Sequence, residues 1–309
     1  MREFDLIEKY FNWKNLESDI LGVGDDCALI SIDAHQQIAT SVDTLIEDVH
    51  FPKNTSPKDI AYKALAVNLS DLAAMGATPK YFTLALTLPE FNEYWLQEFS
   101  GSLKSLSSQY NIALVGGDTT KGKLSITINA TGVVSQNTAM LRSGAQVGDY
   151  IFVSNTLGDA ALAWHQLQQG KEPSKGLLQQ FNRPQPQVEL GKVLVDIANS
   201  CIDISDGLEQ DLSHILNSSN VGARINISDL PLSDELITYI ENSYDWCLPL
   251  SGGDDYELCF TVSQENIKKV EALEKTLNIR LTAIGIVTKE LGLERLGMFK
   301  DECSSYQHF

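Results

Sequence analysis

Residues 63–77 read K-A-L-A-V-N-L-S-D-L-A-A-M-G-A. The pattern starts upstream at Ser56-Pro57-Lys58-Asp59, where a serine N-cap and a proline at the first helical position mark a helix start. Ile60, Ala64, Leu65, Leu69 and Leu72 carry the helix forward, and Gly76 supplies a stop. One carboxylate, Asp71, sits inside this mostly apolar run near its C-terminal end. The helix dipole disfavours negative charge there, and burial would raise the pKa. A nearby cation removes both penalties, which puts metal binding ahead of a merely satisfied core carboxylate.

On the C-terminal side, Trp95, Phe99, Leu103, Leu106 and Tyr110 recur at three- and four-residue spacing and predict a second helix. Ile112 to Val115 reads as a short buried strand ending in Gly116-Gly117-Asp118. Leu124, Ile126, Ile128 and Ala130 alternate with polar residues, the mark of a half-buried strand. The pattern restarts near Gly144 to Asp149: a strand from Tyr150 to Ser154, a loop with Gly158, and a helix from Asp159. Cys201 to Ile204 runs into Gly207, and Tyr256 to Val262 into a helix from Gln264. The expected architecture is two mixed α/β domains, residues 1–145 and 146–309.

Composition narrows the function. At 309 residues with 43% apolar content, the chain can bury two ordinary cores. No apolar run approaches the eighteen or so residues of a membrane span. The first residues lack the basic-then-apolar order of a signal peptide. Cys27, Cys201, Cys247, Cys259 and Cys303 form no C-x-x-C pair, so a reduced, cytoplasmic setting is expected. A net charge of −18 repels nucleic acid. It also repels nucleotides and phosphate esters unless divalent metals intervene.

The usual phosphate motifs fail. Gly117 to Leu124 nearly spells a Walker A loop, but Leu124 stands where Ser or Thr should be, and a strand pattern follows where a helix must open. Gly22-Val23-Gly24 lacks the third glycine of a dinucleotide fingerprint. The acids of Asp203-Ile204-Ser205-Asp206-Gly207 have the wrong offsets for a calcium loop. What remains is a set of aspartates read at element ends beside small residues: Asp25, Asp26, Asp43, Asp71, Asp118, Asp203 and Asp206. Taken singly, Asp206 reads equally as a helix N-cap, and Asp25 and Asp118 as turn formers.

Six motifs follow in order: G-V-G-D-D-C-A-L (22–29), S-V-D-T-L (41–45), the 63–77 run, G-G-D-T (116–119), D-I-S-D-G-L (203–208) and S-G-G-D-D-Y-E-L (251–258). Together they closely resemble the thiamine-monophosphate kinase family, of the aminoimidazole ribonucleotide synthetase-like superfamily. The resemblance implies two α/β domains with the N-terminal domains pairing in a homodimer. It implies ATP-dependent, in-line phosphorylation of thiamine monophosphate to thiamine diphosphate with several magnesium ions. Asp26, Ser41, Val42, Asp43, Asp71, Asp118, Asp203 and Asp206 match the magnesium shell; Val42, which stands where family members commonly carry threonine, has no side-chain oxygen and could contribute only its backbone carbonyl. Gly116, Gly117, Ser205 and Arg142 match the ATP contacts, with Arg142 neutralising transition-state charge; alone, Arg142 would read as a surface arginine. His50, Asp254 and Tyr306 match the substrate side. Asp254 stands where the family usually has glutamate. Alone, His50 would read as structural and Tyr306 as tail packing. Two alternatives stay open: a superfamily enzyme with a different small acceptor, and a non-catalytic metal- or nucleotide-binding homologue.

Overall fold

A computed structural model describes residues 3–13, 28 and 30–297. Asp26 and Tyr306 lie outside the described residues. The chain divides into two units, residues 1–72 with 77–138 and residues 73–76 with 139–309.

The first unit runs α1 (Glu3–Tyr10), β1 (Gln36–Ile46), α2 (Pro57–Ala74), β2 (Thr78–Leu88), α3 (Glu93–Gln109), β3 (Ala113–Lys121) and β4 (Ser125–Ser135). Its four strands lie in the order β1-β4-β2-β3. β4 is antiparallel to both neighbours, and β2 and β3 are parallel. A parallel pair needs a long crossover, which α3 supplies.

The 63–77 stretch forms the C-terminal two-thirds of α2 and its stop. Ser56 caps the helix: its Oγ accepts from Asp59 N at 3.1 Å and donates to Asp59 Oδ2 at 2.7 Å. At the far end Gly76 takes φ +67°. Its N–H bonds to Ala73 O, and Ala77 N–H bonds to Leu72 O, the paired bonds of a Schellman stop. Along α2 from residue 60, only Tyr62 and Asp71 are not fully buried. A helix apolar on every side belongs in a core, and that is why its sequence shows little amphipathic contrast.

β3 departs from expectation. It runs on through Gly116, Gly117 and Asp118 to Lys121, pairing with β2 as far as Leu88. The glycines permit this rather than ending it. A Cβ on Gly117 would stand 1.9 Å from Leu84 O, so only glycine lets the two backbones approach here. After Lys121 the chain turns straight into β4, so no helix follows the Walker-like glycines.

The second unit runs β5 (Tyr150–Ser154), α4 (Asp159–Gln168), α5 (Lys175–Asn182), α6 (Val188–Leu194), β6 (Ser200–Asp203), α7 (Leu208–Ser219), β7 (Gly222–Asn226), α8 (Asp234–Ser243), α9 (Cys247–Ser251), β8 (Leu258–Val262), α10 (Ile267–Leu277), β9 (Leu281–Thr288) and β10 (Gly292–Leu296). The six-stranded sheet has the order β10-β7-β9-β5-β8-β6. Ile151, Val153, Ile202 and Cys259 from the sheet pack with Leu208, Leu212 and Ile215 of α7 in one core. β8 begins at Leu258 rather than Tyr256 because residues 254–257 are spent bonding a neighbouring loop. Cys201 and Cys259 are free, whereas Cys247 is disulfide-bonded. The expectation of fully reduced cysteines fails there, because spacing along a chain does not report neighbours in space. No helix among the described residues is long and apolar enough to cross a membrane.

Candidate active site

In the first unit, β1 presents Ser41 and Asp43 on one face, toward α2. Ser41 Oγ donates to Asp71 Oδ2 at 2.5 Å. Burial, then the neighbouring Asp71 carboxylate, pushes Asp43 up to about 7. Two carboxylates are therefore held beside each other in a partly desolvated place, with a hydroxyl at their edge. Val42 points to the opposite face and is 58% exposed, so its side chain takes no part in this pair.

Asp43 and Asp118 are not at element ends as read from the sequence. Both lie inside long strands, because ladder partners continue beyond the small residues that suggested a stop. Their register separates them. Asp43 pairs with Ile128, whose other neighbour Leu84 pairs with Gly117; Asp118 belongs to the next row, with Ala85, Thr127 and Thr44. β1 and β3 are the two edges of the sheet, three strand spacings or about 14 Å apart. Asp118 is thus not brought to Asp43 within one copy.

His50 follows β1 in a tight turn. Its N–H bonds to Ile46 O at 3.0 Å, and its Nδ1 accepts from Ile46 N at 3.0 Å. A neutral ring held so carries its proton on Nε2. Beneath it Lys63, 2% exposed, donates from Nζ to His50 O at 3.4 Å. Lys63 was not singled out from sequence; its signal is a lysine inside the apolar 63–77 run.

In the second unit, two loops interlace. Residues 204–207 join β6 to α7, and residues 252–257 join α9 to β8. Asp254 N donates to Ser205 O at 2.8 Å, Tyr256 N to Ile204 O at 2.7 Å, and Ile204 N to Glu257 O at 2.8 Å. Asp254 and Tyr256 both take positive φ, +63° and +52°, and Tyr256 Oη donates to Asp254 Oδ1 at 3.1 Å. Ser205 and Asp206 are half-buried at the mouth of this lacing, while Asp203, the last residue of β6, is buried. Gln210 Nε2 donates to Asp206 Oδ2 at 2.9 Å. Asp206 is not the N-cap of α7; that position falls to Gly207, which offers no side-chain cap.

Buried carboxylates support the loops from below. Asp211, 3% exposed, accepts at Oδ2 from Ser205 N and Asp206 N, each at 3.0 Å. Burial pushes Asp211 up to about 7 against those bonds. Glu257 accepts from Ser154 Oγ, from Asn155 Nδ2 at 3.0 and 3.1 Å, and from Gln187 Nε2 at 3.3 Å. Burial still pushes it up to about 8. Burial likewise holds Asp255 well above the usual carboxylate range, though Gly158 N donates to it at 2.8 Å. Arg142 has an exposed side chain on a segment held by its backbone. Ser219 Oγ donates to Arg142 O at 3.2 Å and accepts from Gly144 N and Ala145 N, each at 3.1 Å.

Among the described residues, no three His, Cys, Asp or Glu side chains gather closely enough to hold a metal by themselves. Pairs of oxygens are what the described residues offer. Such pairs suit magnesium, which usually takes one or two carboxylates and fills its shell with water and substrate phosphate.

Residues 24–134 match the AIR synthase related protein N-terminal domain, and residues 146–295 the corresponding C-terminal domain. The chain is 47% identical over 298 residues to Thiamine-monophosphate kinase of Haemophilus influenzae, covering 94% of this chain and 91% of that one. It belongs to the thiamine-monophosphate kinase family. The crystal structure of Thiamine-monophosphate kinase from Stenotrophomonas maltophilia K279a superposes with TM-score 0.90 at 42% identity, covering 97% of this chain and 98% of that one. AaThiL complexed with AMPPCP and TMP superposes with TM-score 0.80 at 31% identity, covering 99% and 96%. The expected fold, two α/β domains of this enzyme family, is the one observed.

Proposed function

We propose that the chain transfers the γ-phosphoryl group of ATP directly to the phosphate of thiamine monophosphate, giving thiamine diphosphate and ADP. The observation that carries this beyond family membership is the bond from Asp254 N to Ser205 O at 2.8 Å. It joins the residue matched to the substrate and the residue matched to the nucleotide in one rigid lacing, as direct transfer between neighbouring ligands requires.

The acceptor oxygen needs no general base, because a phosphate monoester has a second pKa of about 6 and is largely dianionic near neutral pH. No protein nucleophile is required. Arg142 meets nucleotide phosphate with a guanidinium that stays charged throughout. Ser205 hydrogen-bonds the nucleotide, Gly116 and Gly117 let it pass close to the backbone, and His50, Asp254 and Tyr306 orient the thiamine moiety. Asp26, Asp43 and Asp71 with Ser41 and the Val42 carbonyl, and Asp203 with Asp206, would hold magnesium. When bound, magnesium supplies the charge neutralisation that lets two anionic substrates meet in an acidic protein. Residues 1–145 carry the metal and ATP site and the dimer contacts in this reading, and residues 146–309 form the second domain.

We also infer a homodimer formed through the first unit's sheet. Its open face bears Ile38, Val42 and Ile46, at 52%, 58% and 39% exposure, with a threonine ladder at Thr44–Thr127. Asp118 also lies on this face, on the edge strand opposite β1. Ile38→Asp should halve the mass measured by light scattering and lower turnover with it; an unchanged mass would remove the interface.

The test of the activity is a product assay with ATP and magnesium, offering thiamine monophosphate or free thiamine. Diphosphate formed from the monophosphate alone supports the reading. Phosphorylation of free thiamine, or turnover of neither, overturns it.

A further inference from the structure

Asp211 lies outside every motif position matched to a ligand, yet it is nearly inaccessible, 3% exposed, in the first turn of α7. One of its oxygens, Oδ2, accepts from the N–H groups of two consecutive residues, Ser205 and Asp206, each at 3.0 Å. Its own N–H bonds to Gly207 O at 3.0 Å. Helix α7 has no side-chain cap from Gly207; Asp211 instead reaches back from the first turn to the amides of the loop that precedes the helix. Fixing those two amides also turns Ser205 O toward Asp254 N, to which it bonds at 2.8 Å.

We propose that Asp211 is a positioning residue for nucleotide binding: through the two backbone amides it sets the directions in which Ser205 and Asp206 are presented. Gln210, which donates to Asp206 Oδ2 at 2.9 Å, completes the hold. The inference rests on the reading of Ser205 and Asp206 as the nucleotide and metal side of a kinase site. It makes a distinction that a general need for a buried acid does not. The required feature is an acceptor oxygen at one place, so asparagine should serve and alanine should not.

The experiment measures magnesium-ATP binding by calorimetry and the KM values for both substrates, with wild type, Asp211→Asn, Asp211→Ala and Gln210→Ala. Wild type must bind magnesium-ATP and turn over; its failure would sink the kinase reading itself, separately from this proposal. In a folded Asp211→Ala protein, checked by near-ultraviolet circular dichroism, ATP affinity should fall on the order of tenfold as two buried amides lose their acceptor. KM for thiamine monophosphate should move much less. Asp211→Asn should restore affinity to within about threefold of wild type, since its amide oxygen replaces Oδ2. Wild-type affinity in folded Asp211→Ala, or equal losses in the asparagine and alanine variants, would overturn the proposal. Where Asp211→Ala does not fold, Asp211→Asn and Gln210→Ala decide. Near-wild-type affinity in the former with a severalfold rise in magnesium requirement in the latter supports it; a tenfold affinity loss in folded Asp211→Asn, or no change in folded Gln210→Ala, contradicts it.

Discussion

The two units hold their candidate ligands in opposite ways. In the first, Ser41, Asp43 and Asp71 stand on the middle of a long strand and on a buried helix, where regular hydrogen bonding already fixes the backbone. In the second, Ser205, Asp206 and Asp254 stand on two loops that depend on each other. Left-handed residues and buried carboxylates keep those loops in shape. The first arrangement stores its strain in charge, two acids side by side. The second stores it in the backbone. Substitutions in the first should therefore separate activity from stability, and substitutions in the second should lower both.

Asp71→Asn gives the largest expected effect. Turnover should fall by about 10² to 10³, roughly 3–4 kcal/mol of transition-state stabilisation. The melting temperature without magnesium should hold or rise, because relief of the Asp43–Asp71 repulsion removes a cost. A parallel loss of stability would break the contrast. Gly207→Ala probes the other side. Gly207 has φ +113°, and a Cβ there would stand 2.6 Å from Ser251 Cα. Strain of about 1–3 kcal/mol is expected from such a conformation, lowering the melting temperature and raising KM for both substrates together.

Glu257 sharpens the comparison through pH. Its folded pKa of about 8 lies above the ordinary 4.5. The folded state keeps a proton that the unfolded state has released in that window, so stability falls as pH rises from about 4.5 to 8. Glu257→Gln should give a shallower fall in melting temperature from pH 5 to pH 8 than wild type; an equal slope would show that Glu257 is not the source. The smallest effect is Ser56→Ala, which removes the α2 cap and should cost about 1 kcal/mol by denaturant melts, with turnover unchanged.

The same division explains what the sequence made legible. The start of α2 was readable from Ser56-Pro57 and its end from Gly76, because caps are local chemistry. Asp71 was readable as a carboxylate misplaced in an apolar helix. The run-on of β3 was not, since what carries it past Gly117 is the neighbouring backbone at Leu84. The separation of Asp118 from Asp43 depends on strand order, which no spacing along the chain encodes. Asp211 left one trace: with Leu208, Leu212 and Ile215 it falls on the buried face of α7, a polar residue in an apolar stripe. Glu257 left less, because its partners Ser154, Asn155 and Gln187 come from distant segments.

The central claim is that the chain aligns two substrates for direct transfer and lends no nucleophile of its own. The stereochemical course tests it most directly, using ATP made chiral at the γ-phosphorus with oxygen isotopes and sulfur, and thiamine monophosphate as acceptor. Inversion at phosphorus in the thiamine diphosphate product is the predicted result. Retention, the mark of two displacements through a phosphorylated side chain, would contradict the account.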